Sequence, residues 1–187
     1  MQGEITVVPA PKRVKRGRGA LRFCGFAAGD KLALAPHTRR KLEKYECADG
    51  VPLGVRIARV ADSDEGYELE ISEKGVMLTG ATPRALHYAV LTLLQIADGC
   101  GGALPYATVT DAPDFAARGI MYDISRNRVP TLDTLKHAAD ILSDLKLNML
   151  QLYVEGRSFY YASKAEFYDD PEDFLTPSDV AELKEYC

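Results

Sequence analysis

Apolar and polar positions alternate in several stretches of the first half of the chain. Residues 55–60 read as an alternating strand that opens on Val55 and Ile57, and residues 67–71 alternate around Tyr67, Leu69 and Ile71, with Glu68 and Glu70 on the wet face. Glu73, Lys74 and Gly75 read as a turn, and residues 76–79 return as the hairpin partner. Residues 5–8 are β-branched and predict a further strand, stopped by Pro9 and Pro11. Residues 36–46 predict a short polar helix with Pro36 near its first turn. The strongest periodic signal runs from Pro83 to Asp98. There Leu86, Ala89, Val90, Leu93, Leu94 and Ala97 recur at spacings of three and four, behind Thr82 as N-cap, and Gly99, Gly101 and Gly102 end the helix. This mixture predicts an α+β domain with a mainly antiparallel sheet over residues 1–112.

The pattern changes after Asp111, Ala112, Pro113 and Asp114. Residues 118–124 predict a strand. Thr131 caps a helix that runs through Lys146, with Leu132, Leu135, Ala138, Ala139, Leu142 and Leu145 on one face, and residues 149–154 predict a second strand. A long aromatic and acidic loop follows. Thr176, Pro177 and Asp179 then open another helix, with Asp179 reaching back to the cap. Two consecutive strand–helix units imply a parallel, right-handed arrangement. Two such strands cannot be covered on both faces by themselves. Either another chain covers them or residues 113–187 are part of a larger strand–helix domain; the helix that stops abruptly at Cys187 favours the second.

The length, 187 residues, suits one good core or one domain plus part of another and is too short for a complete large enzyme barrel. The chain is 47% apolar and 27% charged, ordinary for a globular protein. The net charge of −4 argues against a nucleic-acid partner, and no apolar run approaches membrane-spanning length. Without a cationic start or an apolar leader segment, the expected compartment is the cytoplasm. Cys24, Cys47, Cys100 and Cys187 form no C-x-x-C pair, which predicts free thiols rather than a zinc site or a redox dithiol. The cations Lys12, Arg13, Lys15, Arg16, Arg18 and Arg22 read as a solvated loop or hairpin edge. His37, His87 and His137 read as structural, having no partner at metal spacing. No phosphate-binding glycine loop and no G-x-S-x-G motif is present, so neither a cofactor nor a metal is expected.

In a strand–helix barrel, functional side chains stand at the C-terminal ends of the strands. That rule selects residues 123–128 and 153–160. Arg126 carries a fixed fork of donors suited to adjacent sugar hydroxyls or a carboxylate; a salt bridge with Asp123 or a helix-end contact is the equal alternative. Glu155 is a substrate ligand or acid/base, or else a solvated loop carboxylate. Tyr153, Phe159, Tyr160 and Tyr161 wall a sugar site or form core and rim. Asp169, Asp170, Glu172 and Asp173 sit together in a polar loop and do not make an opposed pair of catalytic carboxylates.

Residues 113–126, from Pro113 and Phe115 through Arg118-Gly119 to Asp123, Ser125 and Arg126, resemble the opening of the catalytic barrel of glycoside hydrolase family 20, the β-N-acetylhexosaminidases. Lys146 and Asn148 are similar to that family's Lys-x-Asn before the second barrel strand. Residues 7–12 and 80–95 resemble the start and the helix of its accessory domain. The resemblance implies a retaining exo-glycosidase that removes terminal β-N-acetylhexosamine, with the substrate's own acetamido oxygen as nucleophile. It implies that Arg126 holds hydroxyls of the terminal sugar. The Asp that orients the acetamido group and the Glu that serves as acid/base are expected at the fourth barrel strand, beyond Cys187, so no catalytic residue is expected in this chain. One departure stands out. After the second strand the family pattern is His-x-His, Asp-Asp and Ser-Phe; here it is Gln151-Leu152-Tyr153, Glu155 and Ser158-Phe159, one residue shorter. That marks a divergent branch. The alternatives are a family 84 hexosaminidase or an α-glucuronidase type, or a non-catalytic carbohydrate-associated module.

Overall fold

The computed structural model of the chain describes residues 5–27, 32–126, 128–155, 158–167 and 174–187. They fall into two compact units, residues 1–116 and 117–187.

The first unit is a mixed α+β fold around one six-stranded sheet. Its elements are β1 (Arg13–Arg22), β2 (Phe26–Ala27), α1 (Pro36–Glu43), β3 (Val51–Ile57), β4 (Tyr67–Ser72), β5 (Gly75–Gly80), α2 (Pro83–Gly99) and β6 (Ala103–Asp111). The strand order is β1-β6-β4-β5-β3-β2. The hairpin read from the sequence is the β4–β5 pair, with Leu69 opposite Leu78. The sheet is more mixed than that hairpin suggests: β1–β6, β6–β4 and β4–β5 are antiparallel, whereas β5–β3 and β3–β2 are parallel.

Helix α2 packs against β4, β5 and α1. Thr82 caps it by accepting from the backbone N–H of Ala85. The stripe expected from the sequence is buried, and so are Tyr88, Leu91 and Ile96, because α1 closes over a second side of the helix. Leu69, Leu78, Leu93, Leu104 and Val109 are fully enclosed between helix and sheet. The one polar group taken into this core from β4 is the Tyr67 hydroxyl. It pairs with Thr92 Oγ1 at 2.6 Å and donates to Asp111 Oδ2 at 3.1 Å, so its burial leaves nothing unsatisfied.

Two sequence expectations need correction here. Residues 5–8 form no strand; Pro9 and Pro11 supply no backbone donor for a ladder. Gln95 of α2 holds the segment instead, accepting from Val8 N at 2.7 Å and donating to Val8 O at 2.9 Å, with Val7 buried. Of the two settings open to the basic run, the edge is the one found: it forms the ten-residue strand β1 at the margin of the sheet, with its cations exposed to solvent. The strand expected over residues 55–60 is displaced to Val51–Ile57, because its partner β5 ends at Gly80, opposite Ile57. Residues 103–111, which the pattern did not single out, form β6 between β1 and β4.

The second unit contains β7 (Gly119–Asp123), α3 (Leu132–Asp144), β8 (Met149–Tyr153), a 3-10 helix (Ala162–Phe167) and α4 (Pro177–Tyr186). β7 and β8 are parallel and in register from Gly119–Met149 to Asp123–Tyr153, with α3 as the connection. Ile124, Leu135, Leu175 and Leu183 form its core, flanked by Tyr122, Val129, Leu132, Leu150, Leu152 and Phe159. Helix α3 ends two residues short of the expected Lys146, which has φ of 58° and lies outside the helix. Of the six apolar positions expected on its inner face, Leu135 and Leu142 are fully buried; Leu145, at the cap, is 36% exposed. Helix α4 opens on the expected capping box, Thr176 accepting from Asp179 N while Asp179 accepts from Thr176 N. Asp169, Asp170, Glu172 and Asp173 lie outside the described residues.

Candidate functional site: the ends of two parallel strands

Two sequence motifs 28 residues apart lock β7 to β8. Arg118 N donates to Asn148 Oδ1 at 2.9 Å, and its guanidinium donates through Nε and Nη2 to the Lys146 carbonyl at 3.2 and 3.0 Å. Asn148 N and Met149 N return hydrogen bonds to the Arg118 carbonyl. The next residue is glycine because the strands approach too closely for anything larger: a Cβ at Gly119 would overlap the Met149 carbonyl and approach the Met149 Cβ to 2.7 Å. This anchor, at the N-terminal ends of the strands, fixes the register that brings Asp123 opposite Tyr153 at the other end.

At that C-terminal end the chain turns sharply after β7. The Asp123 carboxylate shapes the turn, with Oδ1 accepting from Ser125 N at 2.9 Å and from Arg126 N at 3.2 Å. The turn swings Arg126 over β8. Its guanidinium lies 3.3 Å from Glu155 Oε2, 3.5 Å from Asp123 Oδ2 and 5.2 Å from the centre of the Tyr153 ring. The Tyr153 hydroxyl donates to Glu155 Oε1. Arg126, Glu155 and Tyr153 thus close a ring of contacts that Asp123 joins through Arg126 alone, and the Arg126 side chain remains 63% exposed.

Both loops are tied together beneath this ring. Ser125 Oγ accepts from Glu155 N, shares a hydrogen bond with Ser158 Oγ at 2.9 Å and donates to the Tyr153 carbonyl at 3.3 Å. Ser158, 1% exposed, also has the Glu155 carbonyl 3.2 Å from its Oγ, so its single proton is divided between that carbonyl and Ser125 Oγ. Sequence reading placed Ser125 and Ser158 in motifs without giving them work. The only signal was two hydroxyls, each near a strand end, and their meeting depends on the parallel register.

The electrostatics follow from these contacts. The Tyr153 hydroxyl and then the Arg126 guanidinium hold Glu155 below its ordinary carboxylate value. Asp123 is lowered chiefly by the Ser125 amide and further by the Arg126 amide and charge. Arg126 is raised, first by its bond to Glu155, and the Tyr153 phenol is raised by the same carboxylate. Both carboxylates are depressed, so the interactions they make in the folded state are fully present above the ordinary carboxylate range and are lost as pH falls through the lowered values. A carbon-detected NMR titration of the Glu155 side chain should therefore give a midpoint below about 4.3, the value of a free glutamate. Arg126→Ala and Tyr153→Phe should each move it upward. A wild-type midpoint at or above the free value would contradict this arrangement.

Of the other candidates, Phe159 packs partly buried against the core of the second unit, with its ring 5.0 Å from that of Tyr161, which is 46% exposed. His87 stands beside the Tyr88 ring on α2. Asn127, Gly156 and Arg157, inside the two selected stretches, lie outside the described residues. Among the described residues no group of three or more His, Cys, Asp and Glu side chains is placed to hold a metal ion, and no helix is long and apolar enough to cross a membrane.

The family model described as glycosyl hydrolase family 20, domain 2, matches residues 4–112. The chain belongs to glycoside hydrolase family 20. Among the curated relatives of this family 20 chain, a β-N-acetylhexosaminidase of Cellulomonas fimi is 33% identical over 156 residues, covering 80% of the chain and 29% of the relative. An N,N'-diacetylchitobiase of Vibrio harveyi is 24% identical over 161 residues, covering 80% of the chain and 18% of the relative. The chain thus spans less than a third of the length of these relatives. A solved structure titled as a family 20 β-N-acetylglucosaminidase superposes with a TM-score of 0.73 at 30% identity, covering 96% of the chain and 39% of that structure.

Proposed function

We propose that residues 113–187 are the first two strand–helix units of a (β/α)8 catalytic barrel, with residues 1–112 as its accessory domain, in a retaining exo-β-N-acetylhexosaminidase. In this reading Arg126 and Glu155 hold the terminal N-acetylhexosamine of a glycan. The observation that carries it is the ring of Arg126, Glu155 and Tyr153, with Asp123 paired to Arg126, at the C-terminal ends of β7 and β8. Neighbouring sugar hydroxyls each donate one hydrogen bond and accept others. The ring offers both complements side by side: guanidinium N–H groups to donate and a carboxylate held ionised to accept. The names of the relatives, β-N-acetylhexosaminidase and N,N'-diacetylchitobiase, support the substrate class.

The same electrostatics argue that the ring binds rather than protonates. A general acid must carry a proton near the working pH, which requires a raised carboxyl pKa. Asp123 and Glu155 are both lowered. We accordingly give neither Asp123 nor Glu155 the acid/base role, and propose that the acid/base Glu and the Asp that orients the acetamido nucleophile stand at a later strand of the barrel.

The test compares the purified 187-residue chain with the gene product that carries it, using a chromogenic N-acetyl-β-glucosaminide. The longer protein should turn the substrate over and the 187-residue chain should not exceed the spontaneous rate. Turnover by the 187 residues that survives repurification and disappears in Glu155→Gln would place the catalytic carboxylate in this chain and refute the assignment.

A further inference from the structure

Outside the candidate site, two cysteines stand within reach of each other. Cys24 Sγ and Cys47 Sγ are 3.4 Å apart, with Cys24 exposed and Cys47 partly so. They sit 23 positions apart in the chain, on either side of β2. The backbone around them is hydrogen-bonded on both sides. Phe26 N donates to the Tyr45 carbonyl at 2.7 Å, Cys47 N to the Phe26 carbonyl at 3.0 Å, Gly50 N to the Cys47 carbonyl at 2.9 Å and Val51 N to the Gly25 carbonyl at 2.8 Å. Phe26, at the centre of this ladder, is fully buried. The close approach depends on Gly25, whose φ is +149° and where a Cβ would meet the Tyr45 carbonyl and the Cys47 Cβ.

We propose that Cys24 and Cys47 are a modification site that closes to a disulfide on exposure to a small oxidised disulfide, fastening the start of β2 to the segment ahead of β3. A disulfide needs the sulfurs about 2.05 Å apart, a contraction of somewhat over 1 Å from the separation in this structure. Side-chain rotation supplies that contraction while the ladder stays in place.

The chemistry balances as two exchanges. The exposed Cys24 thiolate attacks the small disulfide, forming a mixed disulfide and releasing one thiolate. The Cys47 thiolate then attacks Cys24 Sγ, the protein disulfide forms and the second small thiolate leaves. The two cysteines are oxidised, the small disulfide is reduced to two thiols, and the cysteine protons pass to the released thiolates. Cys24 is raised above the ordinary thiol value, chiefly by its hydrogen bond to Cys47. Closure therefore accelerates with rising pH.

The reduced 187-residue chain incubated with oxidised glutathione near pH 8.5 provides the test. Intact mass should fall by about 2 Da, and non-reducing peptide mapping should link the segments containing Cys24 and Cys47. The melting temperature should rise by roughly 5–10 °C. Cys24→Ser and Cys47→Ser should each abolish the mass change, and Cys100→Ser should retain it. Four titratable thiols after oxidation, a linkage through Cys100 or Cys187, a persistent glutathione adduct on Cys24, or an oxidised chain that melts no higher would each overturn the proposal. The wild-type mass and map decide the matter even where a serine variant fails to fold.

Discussion

Arg126→Ala is expected to lower kcat/KM toward a terminal N-acetyl-β-hexosaminide about 100-fold in the gene product that carries this chain. The guanidinium offers charged hydrogen bonds to sugar hydroxyls, each worth roughly 1.5–3 kcal/mol when the partner would otherwise be left unsatisfied, and about 1.4 kcal/mol corresponds to a tenfold change. The same substitution leaves Glu155 without its cation, so an acceptor held ready for the substrate becomes free to move. Arg126→Lys should recover little, because a lysine cannot present the planar fork. Folding provides the control. Arg126 is 63% exposed and takes no part in the core of Ile124, Leu135, Leu175 and Leu183, so amide protection in the second unit should stay at the wild-type level. An unchanged kcat/KM in the variant would remove Arg126 from the substrate.

Gly119→Ala should have the largest structural effect of any single methyl added to the second unit. The new Cβ would overlap the Met149 carbonyl, on the backbone of the neighbouring strand, so no side chain can rotate to relieve it. Overpacking of this kind costs about 3 kcal/mol at the upper end of its usual range, or roughly 100-fold faster amide exchange. Hydrogen exchange should show that loss across β7 and β8, with β4 and β5 unaffected. The Asp123–Tyr153 register would go with it, and with the register the contacts of Arg126 to Glu155 and Tyr153. Exchange rates in β7 and β8 equal to those of the wild type would show that the close approach at Gly119 does not hold the strands together.

What could be read from the chain divides by the range of the interactions. Helix α2, the β4–β5 hairpin, the capping box at Thr176 and the elements β7, α3 and β8 are all specified by neighbours in sequence, through periodicity, a turn or a cap. β6 was not apparent because Pro105 interrupts its alternation and its partners, β1 and β4, lie far back in the chain. The basic run reads as a wet edge in either setting, but only β6 turns it into a strand. The parallel β3–β5 pair leaves no local mark at all.

The candidate site shows the same division. Arg126 and Glu155 were legible because a strand end followed by an arginine or a carboxylate is a local pattern. The sequence left Arg126 open between an ion pair with Asp123 and a ligand contact. The structure contains the ion pair at 3.5 Å and adds the shorter one to Glu155 at 3.3 Å. The bridge from Ser125 to Ser158 spans 33 positions and exists only once β7 and β8 lie side by side, so no spacing rule could have found it.

That the ends of β7 and β8 grip a terminal sugar is a claim that a crystal structure of the gene product with bound N-acetylglucosamine can decide. The Arg126 guanidinium and the Glu155 carboxylate should each lie about 2.7–3.2 Å from hydroxyls of that sugar, with Ser125 and Ser158 still joined beneath them. A sugar bound elsewhere in the protein, with the Arg126–Glu155 pair closed and out of hydrogen-bonding range, would contradict the claim.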